Sequence, residues 1–242
     1  MVSSRLLLIV LLTTLLGYAN IADARHHHYS KSVACVSTQG YTCLVVKRGQ
    51  SWESLFPDDN ERGIVMRINH TNQQIYSGKT ILIPNNLASA NILDFSPFAR
   101  AIPAPQEKLI VVDLNKHAWA AYEPNGNLVR WGPASGGSSW CRDLGRPCRT
   151  KAGHFRIYSL GSVGCKSTKF PIPRGGAPMP YCMYFNGGQA LHGSPGEVAN
   201  GNISHGCVRL FVDDAEWIRF NFAERPTSEN DYHGTRVIVL PY

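Results

Sequence analysis

From Lys108 to the last residue, short runs of aliphatic and aromatic residues alternate with glycine-rich turns. Runs of this kind, bounded by Gly, Pro, Asn or Asp, are typical of β-strands. One turn is specific, because Asn125-Gly126 suits the positive φ angles of a type I′ hairpin. The pattern predicts a mainly β domain, with strands at 109–114, 118–122, 128–133, 154–159, 183–185, 189–192 and 236–240.

A single stretch of this β domain has helical periodicity. Residues 213–222 carry Ala215, Ile218 and Phe222 at spacings that bring them to one face of a helix. Asp213, at the start of the stretch, is of a type that favours helix N-termini. We therefore expect one late helix in an otherwise β domain.

Proline marks the N-terminal boundary of the β domain. Residues 88–107 contain three prolines and show little periodicity. Proline at this density stiffens a linker and disfavours a helix or a central strand. We predict a linker at 88–107 that separates a compact segment at 41–87 from the domain at 108–242.

The compact segment has the signals of a small unit with two strands and two helices. Its predicted elements are a strand at 45–46, helices at 52–56 and 62–69, and a strand at 81–83. Residues 47–52, Asn69 and 78–84 resemble a LysM module, a βααβ unit that binds polymers containing N-acetylglucosamine. The resemblance implies binding to the glycan of peptidoglycan. A folded spacer that has lost carbohydrate binding is the alternative.

The first residues have the features of a secretory signal. A basic start and an apolar run at 6–16 precede the Ala-x-Ala form of a cleavage site at 22–24. The run is shorter than the ~20 apolar residues that span a bilayer. We predict a signal peptide at 1–24 and a periplasmic protein with no integral membrane segment after cleavage. An uncleaved N-terminal anchor is the alternative.

The net charge of the chain is +7, from 24 Lys and Arg against 17 Asp and Glu. Cleavage after residue 24 would remove Arg5 and Asp23, one charge of each sign, so this net charge persists. The basic residues form no dense run of the kind that follows a nucleic-acid backbone, and we expect no nucleic-acid partner. A basic surface suits an anionic polymer such as the cell wall, or a lipid headgroup layer.

Seven cysteines constrain an exported chain, because thiols pair in an oxidising compartment. Closeness in sequence favours three disulfides, Cys35–Cys43, Cys141–Cys148 and Cys165–Cys182. This pairing leaves Cys207 as a free thiol, which calls for a chemical reason in that compartment. A disulfide at Cys207, with another cysteine left free, is the alternative.

Two histidines accompany Cys207 in the sequence. Cysteine attacks acyl carbons as the thiolate, and an imidazole such as that of His192 or His205 can take up the thiol proton. Gly206 allows the backbone to approach a substrate oxygen, where N–H groups can form an oxyanion hole. Zinc bound by His192, His205 and Cys207 is the alternative, although no fourth ligand stands out.

The string Ser-His-Gly-Cys-Val-Arg at 204–209, preceded by His192-Gly193, resembles the signature of the YkuD family of L,D-transpeptidases. The resemblance covers nearly all of 108–242 and implies a YkuD-type β-sandwich catalytic domain. Two features depart from the family pattern: Lys151 stands where Pro is common, and a disulfide-closed insertion is expected at 141–148 near the site.

The resemblance also implies roles for individual residues. Cys207 is the nucleophile that accepts the acyl group, His192 is its general base, and the carbonyl of Gly193 orients the imidazole. The other implied roles are oxyanion donation by the backbone N–H groups of Gly206 and Cys207, support of the site by His205, bracing or carboxylate binding by Arg209, and substrate contact by Ser204 and by Tyr181 or Tyr184. No metal or cofactor is implied.

The reaction implied by the resemblance begins with a tetrapeptide stem of peptidoglycan. The stem acylates Cys207 at meso-diaminopimelate, and an amine then attacks the thioester. The amine belongs to another stem or to a lysine of an outer-membrane protein, and water as acceptor would give an L,D-carboxypeptidase. A hydrolase of protein-to-wall links and a non-catalytic wall-binding protein are the alternatives from other classes.

Overall fold

The structure of the protein, a computed structural model, describes residues 40–198 and 201–242. The predicted signal peptide at 1–24, and Cys35 with its predicted disulfide, lie outside the described residues. In the described ranges, no helix combines the length and the apolar character needed to cross a membrane.

The first elements of the chain form a strand–helix–helix–strand unit, here called the N-terminal unit. Its elements are β1 (Tyr41–Val45), α1 (Trp52–Leu55), α2 (Asp59–Ile68) and β2 (Thr80–Pro84). The two strands pair in antiparallel fashion, and the Ser51 hydroxyl caps α1 by accepting a hydrogen bond from the Ser54 N–H. Trp52, Val65 and Ile81 form the centre of its buried core.

The segment predicted as a linker packs against the β domain. Its first residues form short 3₁₀ turns at Leu87–Ser89 and Ile92–Phe95, and its three prolines follow them. The Trp131 indole donates a hydrogen bond to the Ile92 carbonyl at 2.7 Å, and the Tyr122 hydroxyl donates to the Ala99 carbonyl at 2.9 Å. These contacts attach the segment to one face of the sheet.

The remaining elements form the mainly β domain that the sequence predicts. They are β3 (Leu109–Asp113), β4 (Ala118–Tyr122), β5 (Leu128–Ser135), β6 (Gly153–Arg156), β7 (Ser159–Leu160), β8 (Met183–Asn186), β9 (Gln189–Gly193), β10 (Val208–Leu210), α3 (Val212–Trp217) and β11 (Arg236–Val239). The late helix is confirmed, and it continues beyond α3 as a wider helical turn at Ile218–Phe222. Its predicted apolar face is buried in the main core.

The nine strands form one curled sheet in the order β6-β11-β3-β4-β5-β10-β9-β8-β7. The mainly β character expected of a YkuD-type domain is confirmed, and its strands belong to this one sheet. The long strand β5 joins its halves, because residues 128–133 pair with β4 and residues 134–135 pair with β10. Near the two edges, Phe155 and Phe185 meet in the core with ring centroids 5.3 Å apart.

The hairpin between β4 and β5 is confirmed, but its turn differs from the predicted type I′. Only Gly126 in the turn has a positive φ, of 88°. The Gly126 N–H donates to the Glu123 carbonyl at 2.8 Å, which puts Pro124 and Asn125 at the centre of the turn. Proline holds φ near −65°, so Pro124 is incompatible with the type I′ geometry.

A buried ion cluster joins the N-terminal unit to the β domain. Arg67 of α2 contacts the carboxylates of Asp213 and Asp214, each at 2.6 Å. Arg130 of β5 also donates to Asp214, at 2.9 and 3.1 Å. Burial alone would lower the pKa of Arg67, but the two carboxylates raise it above its ordinary value. The guanidinium is therefore charged, and it bridges two parts of the chain.

Replacing Arg67 with alanine is expected to lower the free energy of unfolding by about 3 kcal/mol, because it removes a cation from the fully buried Asp214. This loss of free energy is at the low end of the range for breaking a buried ion pair, because Arg130 still contacts Asp214. Urea denaturation at neutral pH measures it. The matched control is Arg100→Ala, since the ion pair of Arg100 with Asp94 is exposed and contributes below about 1 kcal/mol. Equal losses in the two variants would contradict the bridging role.

Candidate active site

A cavity of about 630 Å³ lies beside the parallel strands β9 and β10. His192 on β9 is in register with Arg209 on β10, and Cys207 comes directly before β10. All three line the cavity, together with Tyr184. The β9–β10 pairing thus brings together residues that are 15 or more positions apart in the chain.

Cys207 has the only free thiol among the described residues. The side chain is half-buried, and its Sγ lies 3.8 Å from the Gly188 carbonyl oxygen. Burial raises the pKa of the thiol, although the backbone at Ala190 and the charge of Arg209 lower it to a smaller degree. In the unliganded protein Cys207 is therefore protonated at neutral pH, and its activation needs a base.

The His192 imidazole is buried, with 5% of its surface exposed, and its Nδ1 lies 2.8 Å from the carbonyl oxygen of Gly193. A carbonyl only accepts hydrogen bonds, so Nδ1 carries the proton and Nε2 keeps the lone pair. Burial lowers the pKa of His192 to about 4, against the raising effect of the Gly193 hydrogen bond. His192 is therefore neutral at physiological pH, with Nε2 ready to accept a proton.

His205 lies in a different environment. Its Nε2 is 2.8 and 3.0 Å from the carboxylate oxygens of Asp143, and its ring stacks on Phe170 with centroids 4.1 Å apart. Asp143 belongs to the 141–148 insertion, and Phe170 belongs to the segment between Cys165 and Cys182. His205 thus connects the Cys207 loop to two disulfide-closed loops, which suits a supporting role.

The loop before Cys207 needs glycine at position 206, where φ is +118° and a Cβ atom would meet the Gln189 amide at 2.9 Å. The Gly206 N–H donates to the Ser204 hydroxyl at 3.0 Å, and that hydroxyl donates to the Cys207 carbonyl at 2.5 Å. One predicted role is corrected as a result. The Gly206 N–H is engaged within the loop, which leaves the Cys207 N–H as the candidate oxyanion donor of the two. Ser204 braces the loop through its hydroxyl and also lines the cavity, so its contact with substrate stays a prediction.

The sequence does not predict two further contacts in and beside this loop. The buried Thr150 hydroxyl donates to the Gly206 carbonyl at 2.9 Å and accepts from the Gly137 N–H at 3.0 Å. The Lys151 N–H donates to the side-chain oxygen of Gln189 at 3.1 Å. Proline has no N–H, so Lys151 allows a contact that the usual family residue could not make. The unusual Lys151 was the only sequence signal for these contacts.

The structure distinguishes Tyr184 from Tyr181, the two alternative substrate contacts that the resemblance implies. Tyr184 lines the cavity, and nearby Cys207 adds to the effect of burial in raising its pKa. Tyr181 is wrong as a pocket residue, because it belongs to the main core and its hydroxyl donates to Glu216 at 2.8 Å. The backbone of Tyr181 has a positive φ of 58°.

Arg209 is the cation nearest to the chemistry. It is half-buried, and burial lowers its pKa, an effect that the Cys207 and Glu197 charges oppose. Among the described residues, no carboxylate lies within 4.0 Å of its guanidinium. Three further cations line the cavity, at Arg146, Arg149 and Lys169. The cavity therefore suits a substrate that carries carboxylates.

Two of the three predicted disulfides are confirmed, Cys141–Cys148 and Cys165–Cys182. Cys43 is also disulfide-bonded, and its predicted partner lies outside the described residues. In the described part of the chain, possible metal ligands cluster at Cys141, Asp143 and His205. Because the Cys141 sulfur is bonded to Cys148, this cluster offers no thiolate.

Alkylation of the native protein with iodoacetamide is expected to modify Cys207 before any of the paired cysteines. The labelling rate should still rise above pH 9, where an ordinary thiol levels off, because burial raises the pKa of Cys207. Peptide mass mapping over a pH series measures both effects. Labelling of Cys165 with Cys207 protected would contradict the disulfide assignment.

Residues 107–239, more than half of the chain, match the family model of the YkuD L,D-transpeptidase catalytic domain. An L,D-transpeptidase from Xylanimonas cellulosilytica is 25% identical, with a TM-score of 0.47 over 68% of this chain and 73% of that chain. An L,D-transpeptidase from Mycobacterium smegmatis is 20% identical, with a TM-score of 0.43 over 72% and 68%. No curated protein matches significantly.

Proposed function

The chain belongs to the family of YkuD L,D-transpeptidase catalytic domains, and from this premise we propose that it transfers stem peptides of peptidoglycan through a thioester on Cys207. The observation that carries the proposal is the presence, in one cavity, of a free thiol and a neutral imidazole whose Nδ1 is held by the Gly193 carbonyl. A Cys–His pair of this kind can attack acyl carbons.

In the first half of the proposed reaction, Cys207 attacks the carbonyl carbon of meso-diaminopimelate in a tetrapeptide stem. The thiol proton passes to His192 Nε2 as the bond from sulfur to carbon forms. The Cys207 N–H stabilises the oxyanion. The intermediate then loses the amine of the terminal D-Ala, which takes the proton from His192, and the thioester remains.

In the second half, an amine attacks the thioester carbon and gives a proton to His192. His192 returns this proton to the Cys207 sulfur as the bond between carbon and sulfur breaks. The acceptor amine belongs to the diaminopimelate side chain of another stem, which gives a wall cross-link, or to a lysine of an outer-membrane protein. Water in the same position gives an L,D-carboxypeptidase.

The charges of the cavity support a substrate with carboxylates. Arg209 lies beside the reacting groups, and Arg149 and Lys169 also line the cavity. The free carboxylates of diaminopimelate and of the terminal D-Ala give such a substrate two sites for charged hydrogen bonds. We propose that Arg209 binds one of them.

We further propose that the protein works in the periplasm, in association with the cell wall. The secretory features at 1–24 and the disulfides Cys141–Cys148 and Cys165–Cys182 support an oxidising compartment. The N-terminal unit is proposed to be a LysM module that binds wall glycan. Its support is the resemblance at 47–52 and 78–84 and the order of its elements.

Incubation of the exported protein with purified wall fragments, followed by mass spectrometry of the products, tests the proposed function. Cross-linked stems would support transpeptidation between stems, and release of D-Ala without cross-links would favour the carboxypeptidase. Release of wall-linked protein would instead favour a hydrolase of protein-to-wall links. Wall binding with no product at all would contradict an enzymatic function.

A further inference from the structure

The segment between β9 and β10 carries part of the cavity wall. Ser194, Pro195 and Gly196 line the cavity in which His192 and Cys207 lie. At its start, the Ser194 N–H donates to the Leu210 carbonyl of β10 at 2.9 Å. The five residues from Ser194 to Val198, here called the wall loop, have no helix or strand of their own. The conformation of the wall loop therefore depends on contacts with side chains from other segments of the chain.

One such side chain comes from the N-terminal unit. Asn72, between α2 and β2, donates from Nδ2 to the Gly196 carbonyl at 2.9 Å and to the Ser194 carbonyl at 3.4 Å. Its Oδ1 accepts from the Val198 N–H at 3.0 Å. Since a carbonyl only accepts and an N–H only donates, a single orientation of the amide satisfies these contacts. The Asn72 amide thus pairs with the wall loop as a neighbouring peptide group would.

Charges support the same connection. The Glu197 carboxylate in the wall loop acts electrostatically on Lys79 of the N-terminal unit and on Arg209 in the cavity. Burial lowers the pKa of each cation, and the Glu197 carboxylate opposes this effect in each case. The wall loop therefore carries a charge that acts on a cation of the N-terminal unit and on the cavity cation Arg209.

We propose that Asn72 is a positioning residue through which the N-terminal unit holds the wall loop in the shape that accepts the donor stem peptide. This proposal rests on the proposed function and adds to it a part for the N-terminal unit in the active site. Asn72 contacts backbone at Ser194, Gly196 and Val198, and its effect on the reaction passes through the loop.

Asn72→Ala in the full chain removes all three contacts. We expect KM for the donor peptide to rise about tenfold, with kcat changed by less than about threefold, because a misplaced wall weakens binding and leaves Cys207 and His192 in place. Hydrogen exchange of the peptide that covers 194–198 should become faster. Alkylation of Cys207 by iodoacetamide, which needs no wall, should be unchanged.

Two further variants separate positioning from packing. Asn72→Asp keeps the size of the side chain but loses the donor to Gly196 and places a carboxylate against two carbonyl oxygens. It should therefore resemble Asn72→Ala, whereas a role in packing alone would leave it like the wild type. Gln74→Ala, an exposed amide two positions away, is the matched control and should leave KM and exchange unchanged.

The outcomes distinguish the proposal from the function on which it rests. A wild-type protein that turns over donor peptide, with variants of unchanged KM or unchanged exchange, would overturn the positioning role. A wild-type protein with no turnover would overturn the proposed function. In that case the exchange of 194–198 alone would decide whether Asn72 holds the wall loop.

Discussion

Replacing Cys207 with alanine is expected to abolish the proposed acyl transfer, with a loss of about 10⁶-fold, as for removal of the nucleophile from a serine protease. Cys207 has the only free thiol among the described residues, and the sulfurs of Cys165 and Cys182 are bonded to each other. The wild-type protein should gain the mass of an acyl group from a tetrapeptide stem, and the variant should gain none.

A carbapenem provides a second probe of the same nucleophile. Its strained lactam presents a carbonyl that a thiolate can attack, and the family resemblance implies that the cavity accepts it. Intact-protein mass should show one adduct in the wild type and none in Cys207→Ala. An adduct that persists in the variant would mean that another nucleophile reacts.

The Cys207→Ala variant also needs a folding control. The side chain is half-buried at the edge of a small apolar cluster formed by Met179, Cys182 and Ala190, so removal of its sulfur should cost little stability. The melting temperature should therefore stay close to that of the wild type, and so should the proposed binding to wall glycan. If Cys207→Ala unfolds, its loss of activity gives no information on the nucleophile. Cys207→Ser, which has an oxygen in place of the sulfur, then replaces it as the test variant.

The strands that the sequence predicts correctly carry local signals. Ala118–Tyr122 and Gln189–Gly193 are short apolar runs next to turn residues, and the turn at Gly126 has its own signature. The unpredicted strand Val208–Leu210 has only three residues, too few for an alternating pattern. It exists because β5 and β9 lie on either side of it, and both come from earlier in the chain.

The predicted strand at 154–159 shows a second limit of local signals. In the structure it is two strands, because the chain changes partners after Ile157. The Ile157 N–H donates to the Thr235 carbonyl, and the Tyr158 N–H donates to the Tyr184 carbonyl. These partners belong to opposite ends of the sheet order, so the corner depends on the curled sheet as a whole.

In the candidate site, too, some features have a local sequence signal and others do not. The motif was sufficient to single out Cys207 and His192, since their types and order are visible in the sequence. The contact between His205 and Asp143 joins residues 62 positions apart, and the Asn72 contact with Val198 joins residues 126 apart. Without an expected pairing between those segments, no pattern in the sequence could reveal these contacts.

Replacing His192 with alanine is expected to slow acylation of Cys207 by ~10²–10⁴-fold, the usual contribution of a general base. The rate of acylation in the variant should partly recover as the pH rises, because hydroxide then forms the thiolate directly. Burial raises the pKa of Cys207, so this recovery should begin only above the ordinary thiol range near 8.5. Stopped-flow acylation by a carbapenem over a pH series measures both effects.

The wild-type protein should show a different pH profile. The pKa of His192 is about 4 in the free protein, where burial disfavours the imidazolium. Acylation should therefore fall on acidification only as the pH approaches 4, because His192 is neutral and able to accept a proton above that value. Circular dichroism at each pH is the control for acid unfolding. An acid limb near 6.5 would instead indicate an unburied base.

His205 is the alternative base, and its carboxylate partner gives that alternative a physical basis. A carboxylate that holds one nitrogen of a histidine is a known way to orient a base. In this structure, however, Asp143 and Phe170 hold the His205 ring between two disulfide-closed loops. His205→Ala should therefore lose activity through a displaced Cys207 loop, and a higher pH should restore little of it.

Asp143→Asn provides the matched test of that distinction, because it keeps the shape of the side chain and removes its charge. If His205 only supports the loop, the variant should lose less activity than His205→Ala and should keep the acid limb near pH 4 set by His192. If His205 is the base, loss of the carboxylate that orients its ring should slow acylation about as much as His205→Ala does. Recovery at high pH in His205→Ala, and its absence in His192→Ala, would show that the two histidines have the opposite roles.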